Sequence, residues 1–149
     1  MKKIILLFAL LFHINSAAAG DLIPVDVEQL ASNVKKTPGD KVLFLFASWC
    51  EPCKETIKTI SAKNIIFISI DKDIKTIKEF VGQMKYNVYH LKPTDENLFA
   101  LKDTIKIEFA KRNEEGEISW HVPYLALLDK NNKILKSDFP KEDLHKYLK

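Results

Sequence analysis

Cysteine is nearly absent. The 149-residue chain has two, Cys50 and Cys53, too few for a disulfide-dense mini-scaffold. No Lys/Arg block is longer than two residues and the formal charge is only +3, so the electrostatic footprint of a nucleic-acid binder is missing. The uninterrupted apolar run at residues 4–12 has nine members, against the roughly twenty a membrane-crossing helix needs. Repeats, low-complexity tracts and linkers are lacking, and the length suits one domain rather than two. What remains is 46% hydrophobic and 29% charged, with 23 basic against 20 acidic residues. That is enough for a core and too balanced for a disordered tail.

Lys2 and Lys3 precede the nine-residue run, and Ser16-Ala17-Ala18-Ala19 follows it with small residues of the kind signal peptidase cuts. The pattern predicts a cleavable signal peptide over residues 1–19 and one domain over 20–149. An uncleaved anchor or a buried core helix is the competing reading. No cysteine lies near the cut, so there is no lipoprotein attachment point. Removing 19 of 149 residues leaves 130, and losing Lys2 and Lys3 takes the charge from +3 to +1. A nearly neutral protein is not captured electrostatically by membranes or polyanions. The expectation is a soluble, periplasmic monomer. Outside the cytosol a cysteine pair is either a disulfide or works on disulfides. A bridge closing two residues is a weak staple, compared with about 3 kcal/mol for a 15-residue loop. The spacing favours chemistry.

Val27, Leu30, Ala31 and Val34 repeat at helical spacing, ended by Pro38-Gly39. Residues 42–47 form an apolar run of strand length, suited to a central strand covered on both faces. Residues 50–62 read as a helix with Cys53, Ile57 and Ile60 on one face. Residues 65–70 are a second strand run closed by Asp71, and Ile74, Ile77, Val81 and Met84 form another helical stripe. Residues 88–91 and 124–128 are further strands. Asp129-Lys130-Asn131-Asn132 suits a tight hairpin, because Asn tolerates the left-handed conformation. Ile134 and Leu135 start the return strand, and Pro140 fits the first turn of a last helix carrying Leu144 and Leu148. Between residues 95 and 121 the pattern favours a short helix to about Asp103. A hairpin-like excursion then turns at Glu114-Glu115-Gly116 and returns at Ile118. The order is α-β-α-β-α-β, a variable segment, then β-β-α.

The segment Trp49-Cys50-Glu51-Pro52-Cys53-Lys54 ends a buried strand and opens a helix. A helix N-terminus carries about half a positive charge and amides without intrahelical partners. A Cys50 thiolate there can accept from them, which lowers its pKa. Pro52 costs nothing in a first turn. Cys53, one turn further in, is placed to resolve a mixed disulfide.

This motif resembles the active site of the thioredoxin superfamily. Glu51-Pro52 between the cysteines, with a signal peptide, is most similar to TlpA/ResA-type extracytoplasmic thiol-disulfide oxidoreductases. The likeness extends to Ile68-Ser69-Ile70-Asp71, to Val122-Pro123 before a buried strand, and to the Asp129–Asn132 turn. It implies a three-layer α/β/α fold with a central mixed sheet of four to five strands and an extended segment before the proline strand. It implies catalytic Cys50 and Cys53, with Trp49, Glu51, Pro52, Val122 and Pro123 tuning the pair or touching substrate. Pro123 would be cis, leaving the Val122 backbone free to pair with a client. An ordinary strand-initiating proline is the alternative. Two departures stand out. Many relatives have Glu three residues after the second cysteine, where this chain has Thr56; Glu55 is turned about 100° away. The run at residues 42–47 holds no buried Asp, so no proton acceptor for Cys53 can be assigned.

His121, two residues before Pro123, could tune the thiolate or be a plain loop residue. His90 and His145 show no zinc-ligand spacing with the cysteines, and no metal or other cofactor is expected. Lys54 stands where c-type haem attachment needs His. Trp120 and Tyr124 read as packing residues, and Lys72, Lys75 and Lys78 as a solvated face. The leading expectation is a reductant of protein disulfides, with a potential below about −200 mV because the Glu51 anion opposes a thiolate at Cys50. Its partners would be disulfide-bearing clients, apocytochrome c among the candidates, and a membrane thiol reductant as donor. The alternative is a redox-inactive or copper-carrying thioredoxin-fold binding module, with Cys50, Cys53 and His121 as soft ligands. A thiol peroxidase ranks below both.

Overall fold

The computed structural model describes residues 19–61, 63–108 and 110–147. The expected signal peptide falls, except for Ala19, outside these residues, as does Leu148. In chain order the elements are β1 (Leu22–Val25), α1 (Val27–Lys36), β2 (Lys41–Phe46), α2 (Glu51–Thr59), β3 (Ile65–Ser69), α3 (Ile74–Val81) and β4 (Val88–Leu91). There follow α4 (Asp95–Ile105), β5 (Ala110–Arg112), β6 (Ile118–Trp120), β7 (Tyr124–Leu128), β8 (Ile134–Ser137) and, after a 3₁₀ turn, α5 (Leu144–Tyr147).

Six strands form one mixed sheet in the order β1-β4-β3-β2-β7-β8. The first four are parallel to one another, whereas β7 runs antiparallel to both β2 and β8. The sheet is therefore wider than the expected four to five strands. The addition is β1, whose Pro24 disguises it as a loop. Proline lacks the N–H a central strand must donate, but β1 is an edge strand, where this is tolerated. The segment after α4 folds as expected: β5 and β6 pair as a separate two-stranded hairpin that turns at Asn113–Gly116. Gly116 takes a φ of 83° there. The helix runs on to Ile105, two residues past Asp103.

All six residues of β2 are buried, and strand alternation sends them to two cores. Leu43 and Leu45 join Ile66, Ile68, Ala126 and Leu128 beneath α1 and α4. Val42, Phe44 and Phe46 join Phe67, Leu125 and Leu127 beneath α2, α3 and α5. These are the three layers. Phe44, Phe46 and Phe67 pack ring against ring at 5.7–6.4 Å, and the cysteines lie on this aromatic side. Lys72, Lys75 and Lys78 are exposed, as the solvated-face reading requires, but Ile74, counted into the apolar stripe of α3, is exposed as well. The β7–β8 turn is closed by Asp129, whose Oδ1 accepts from the Asn131 and Lys133 amides, and Asn132 is left-handed with φ 65°.

Candidate redox site

Central β2 delivers the chain to the site. Three residues past its end, Ala47-Ser48-Trp49, the chain reaches Cys50, which is the N-cap of α2 with extended backbone, φ −87° and ψ 99°. Its Sγ accepts a hydrogen bond from the Cys53 amide at 3.3 Å, and its carbonyl accepts from the Cys53 and Lys54 amides. Sulfur thus occupies the position at which Ser or Asp normally satisfies a helix's first donors. Pro52 sits in the first turn, where a missing amide costs nothing. Cys50 and Cys53 are closed as a disulfide, S–S 2.04 Å, with Cα atoms 5.3 Å apart. Cys53 is fully buried and Cys50 is 5% exposed. Beside them Trp49 is 63% exposed, an unusual display for the largest apolar side chain.

Glu51 is not the lone anion assumed from sequence. Lys54 Nζ donates to its carboxylate at 2.6 Å. That hydrogen bond, with the ammonium charge, holds the Glu51 carboxyl below its ordinary value. The ion pair blunts the repulsion Glu51 exerts on a Cys50 thiolate. Thr56 is buried and donates to the Pro52 carbonyl at 2.7 Å, while Glu55 faces outward to Lys141 at 3.6 Å. Glu55 points away from the pair, in keeping with the turn of about 100° between neighbouring helical positions.

The Val122–Pro123 peptide bond is cis. Pro123 immediately precedes β7, whose first residue, Tyr124, pairs with Leu45 near the end of β2. Antiparallel pairing therefore brings the proline and the cysteine turn to the same end of the sheet, and Val122 packs against the core that holds both cysteines. The His121 Nε2 is 2.9 Å from the Asp138 carboxylate, both exposed. Tyr124 is buried, as expected of a packing residue, and the Trp120 side chain lies outside the described features. Among the described residues no three His, Cys, Asp or Glu side chains are grouped as metal ligands would be, and no helix is long and apolar enough to cross a membrane.

The sequence reading passed over a buried polar cluster behind the cysteine turn. Asp71, 3% exposed, accepts from the Ser48 amide at 3.0 Å, from the Ser48 hydroxyl, and from the Ser69 hydroxyl at 2.7 Å. The buried His90 donates from Nε2 to the Asp71 carbonyl at 2.9 Å. A signal existed. In parallel strands paired Phe46 to Ser69, positions 48 and 71 are the next to meet on the same side.

An α/β/α sheet protein with a disulfide capping the helix that follows its central strand carries the equipment of a thiol-disulfide oxidoreductase. A family model described as thioredoxin-like matches residues 41–134, more than half of the chain. The chain belongs to that family. Comparison with curated protein sequences gives no match. Among solved structures, thioredoxin f from spinach chloroplast (short form) is 17% identical, covering 87% of this chain and 91% of its own, with a TM-score of 0.41. StoA from Bacillus subtilis is 14% identical over 75% of this chain and 84% of its own, TM-score 0.45. A thioredoxin from Wuchereria bancrofti is 15% identical over 76% of each, TM-score 0.47.

Proposed function

We propose that this protein is an exported reductant of protein disulfides. The supporting observation is the Cys50–Cys53 disulfide at the N-terminus of α2, one sulfur receiving an amide hydrogen bond and the other fully buried. In the dithiol form, Cys50 thiolate attacks a client disulfide. A Cys50–client bond forms and one client sulfur leaves as thiolate. The Cys53 thiol then gives up its proton and attacks Cys50 Sγ, regenerating the internal disulfide and expelling the second client thiolate. The client gains two electrons and, with two protons, becomes a dithiol. The same steps in reverse, against a membrane thiol reductant, recharge the pair. Burial of Cys53 supports its role as resolver, because a client sulfur cannot reach it. Trp49, Val122 and Pro123 offer the client-facing surface.

Export rests on the sequence pattern at residues 1–19, and periplasmic residence with it; apocytochrome c is one client class consistent with such a site. The test is insulin reduction coupled to a dithiol donor, with wild-type protein and Cys50→Ser, together with titration in glutathione buffers. Turnover lost in Cys50→Ser and a potential below about −200 mV support the reading. A potential above about −150 mV makes the protein an oxidant. No exchange at all favours the binding-module alternative.

A further inference from the structure

We propose that Asp71 is a positioning residue for the redox pair, fixing the Ser48 turn that presents Cys50 and holding a negative charge behind it that disfavours the thiolate. The inference rests on the oxidoreductase reading and adds what sets the poise of the pair.

Three observations carry it. The first is the register: β2 and β3 are parallel with Phe46 opposite Ser69, so both chains leave the sheet side by side. Asp71 there meets Ser48, two residues before Cys50. The second is the bonding. Both carboxylate oxygens lie 3.0 Å from the Ser48 amide; Oδ1 also accepts from the Ser48 hydroxyl and Oδ2 from the Ser69 hydroxyl. An amide and two hydroxyls, all groups able to donate, surround the two oxygens. The third is charge. Among the described residues no cation pairs with Asp71, although it is 3% exposed. The groove it shares with Trp49 holds Lys54, Lys72 and Asp73 as its other charged groups. Lys54 is engaged by Glu51, and Asp73 is engaged in capping α3. His90, from β4, meets only the Asp71 backbone carbonyl.

A neutral acceptor could pin the Ser48 amide. Burying a carboxylate without a cation is costly, so retention of the charge points to a use for it. Even in fully extended chain, residues two apart span only about 7 Å, which puts the Cys50 backbone within about 10 Å of a charge screened by protein rather than by bulk water. At an effective dielectric near 20 to 40, an interaction at that range is worth about four- to sixteenfold in an equilibrium constant. An anion so placed raises the cost of the Cys50 thiolate, disfavours the dithiol state and lowers the potential.

The experiment compares wild type with Asp71→Asn, Ser48→Ala and Ser48→Thr. It reads the pH midpoint of Cys50 alkylation, the dithiol–disulfide equilibrium in glutathione buffers, and Tm. Asn keeps the shape and a carbonyl for the Ser48 amide but removes the charge. Its midpoint should fall, and its equilibrium should move about four- to sixteenfold toward the dithiol. Ser48→Ala loosens the turn and should move the midpoint upward, while Ser48→Thr keeps the hydroxyl and should behave as wild type. An Asp71→Asn midpoint that is unchanged or raised, with only Tm lowered, overturns the proposal by reducing Asp71 to a structural residue. If Asp71→Asn does not fold, the Ser48 pair decides: equal midpoints for Ala and Thr overturn it. None of these readouts needs a client. A wild type that exchanges with glutathione but reduces no protein disulfide therefore counts against the functional reading and leaves the role of Asp71 to its own test.

Discussion

The first residue of β2 offers a stringent test of how the sheet is held. Lys41 is fully buried, and its Nζ donates to Asn132 Oδ1 at 2.7 Å. An ammonium in that position has given up its hydration, so the neutral amide opposite it carries unusual weight. Asn132 has a φ of 65°, a conformation that glycine adopts without cost. Asn132→Gly therefore deletes the acceptor while sparing the backbone. The loss should be that of a hydrogen bond to a buried charge, about 2–3 kcal/mol, or roughly 6–12 °C in Tm for a domain of this size. Lys41→Met removes the ammonium and keeps the length and bulk of the stem. Its effect should be neutral or mildly stabilising, because a buried charge replaced by apolar volume no longer has to be solvated by the protein. On the Lys41→Met background, Asn132→Gly should then cost about 0.5 kcal/mol or less, a coupling of about 2 kcal/mol between the two sites. Urea denaturation of the four proteins at constant m-value measures this cycle. Equal costs of Asn132→Gly on both backgrounds would refute the reasoning, as would a Lys41→Met protein weaker by more than 2 kcal/mol. Both residues lie at the end of β2 opposite the cysteines, so glutathione exchange should be unchanged throughout.

Brief iodoacetamide treatment of the reduced protein near neutral pH should modify Cys50 before Cys53, since Cys53 is fully buried and Cys50 caps the helix; peptide mapping that finds Cys53 labelled first reverses the assignment. Lys54→Met should raise the pH midpoint of Cys50 alkylation and Glu51→Gln should lower it, because each leaves unneutralised one half of the 2.6 Å ion pair beside the thiolate; shifts of the same sign refute the electrostatic account. Asp73, the N-cap of α3, has its carboxyl held below the ordinary value of 3.8, chiefly by the Thr76 hydroxyl and then by the Lys75 amide. A depressed folded pKa gives stability that is complete above the ordinary carboxylate value and lost as pH falls through the lowered one. Asp73→Asn, still a competent cap, should therefore flatten the fall of Tm below about pH 4, and an unaltered acid limb contradicts this.

Much of the fold was legible because its signals are local and redundant. Residues 42–47 are apolar at both strand parities, which only a twice-covered central strand tolerates, and the structure sends the two parities to two cores. Asn132 and Gly116 marked their turns through the one backbone conformation they accept cheaply. Legibility failed where a residue's meaning depends on a distant partner. Pro24 argues against a strand until it is known to lie at an edge. Ile74 fits an apolar stripe by spacing, yet nothing covers it and it is exposed. Glu51 reads as a free anion because sequence spacing alone does not show whether Lys54 folds back onto it.

The same distinction bears on the electron-flow argument. In sequence, the acid nearest the Cys50 thiolate is Glu51. Its Lys54 partner and its exposure leave that charge both paired and screened by water. Asp71 is twenty-one residues away from Cys50 in sequence, yet parallel pairing sets it beside Ser48, buried and without a cation among the described residues. A Coulomb interaction weakens with the dielectric around it more than with a few ångströms of distance, so the remote buried carboxylate should outweigh the adjacent exposed one. The expected low potential therefore stands on a different residue from the one that first suggested it. The two origins separate by salt: a midpoint shift caused by Glu51→Gln should shrink at high ionic strength, whereas one caused by Asp71→Asn should persist.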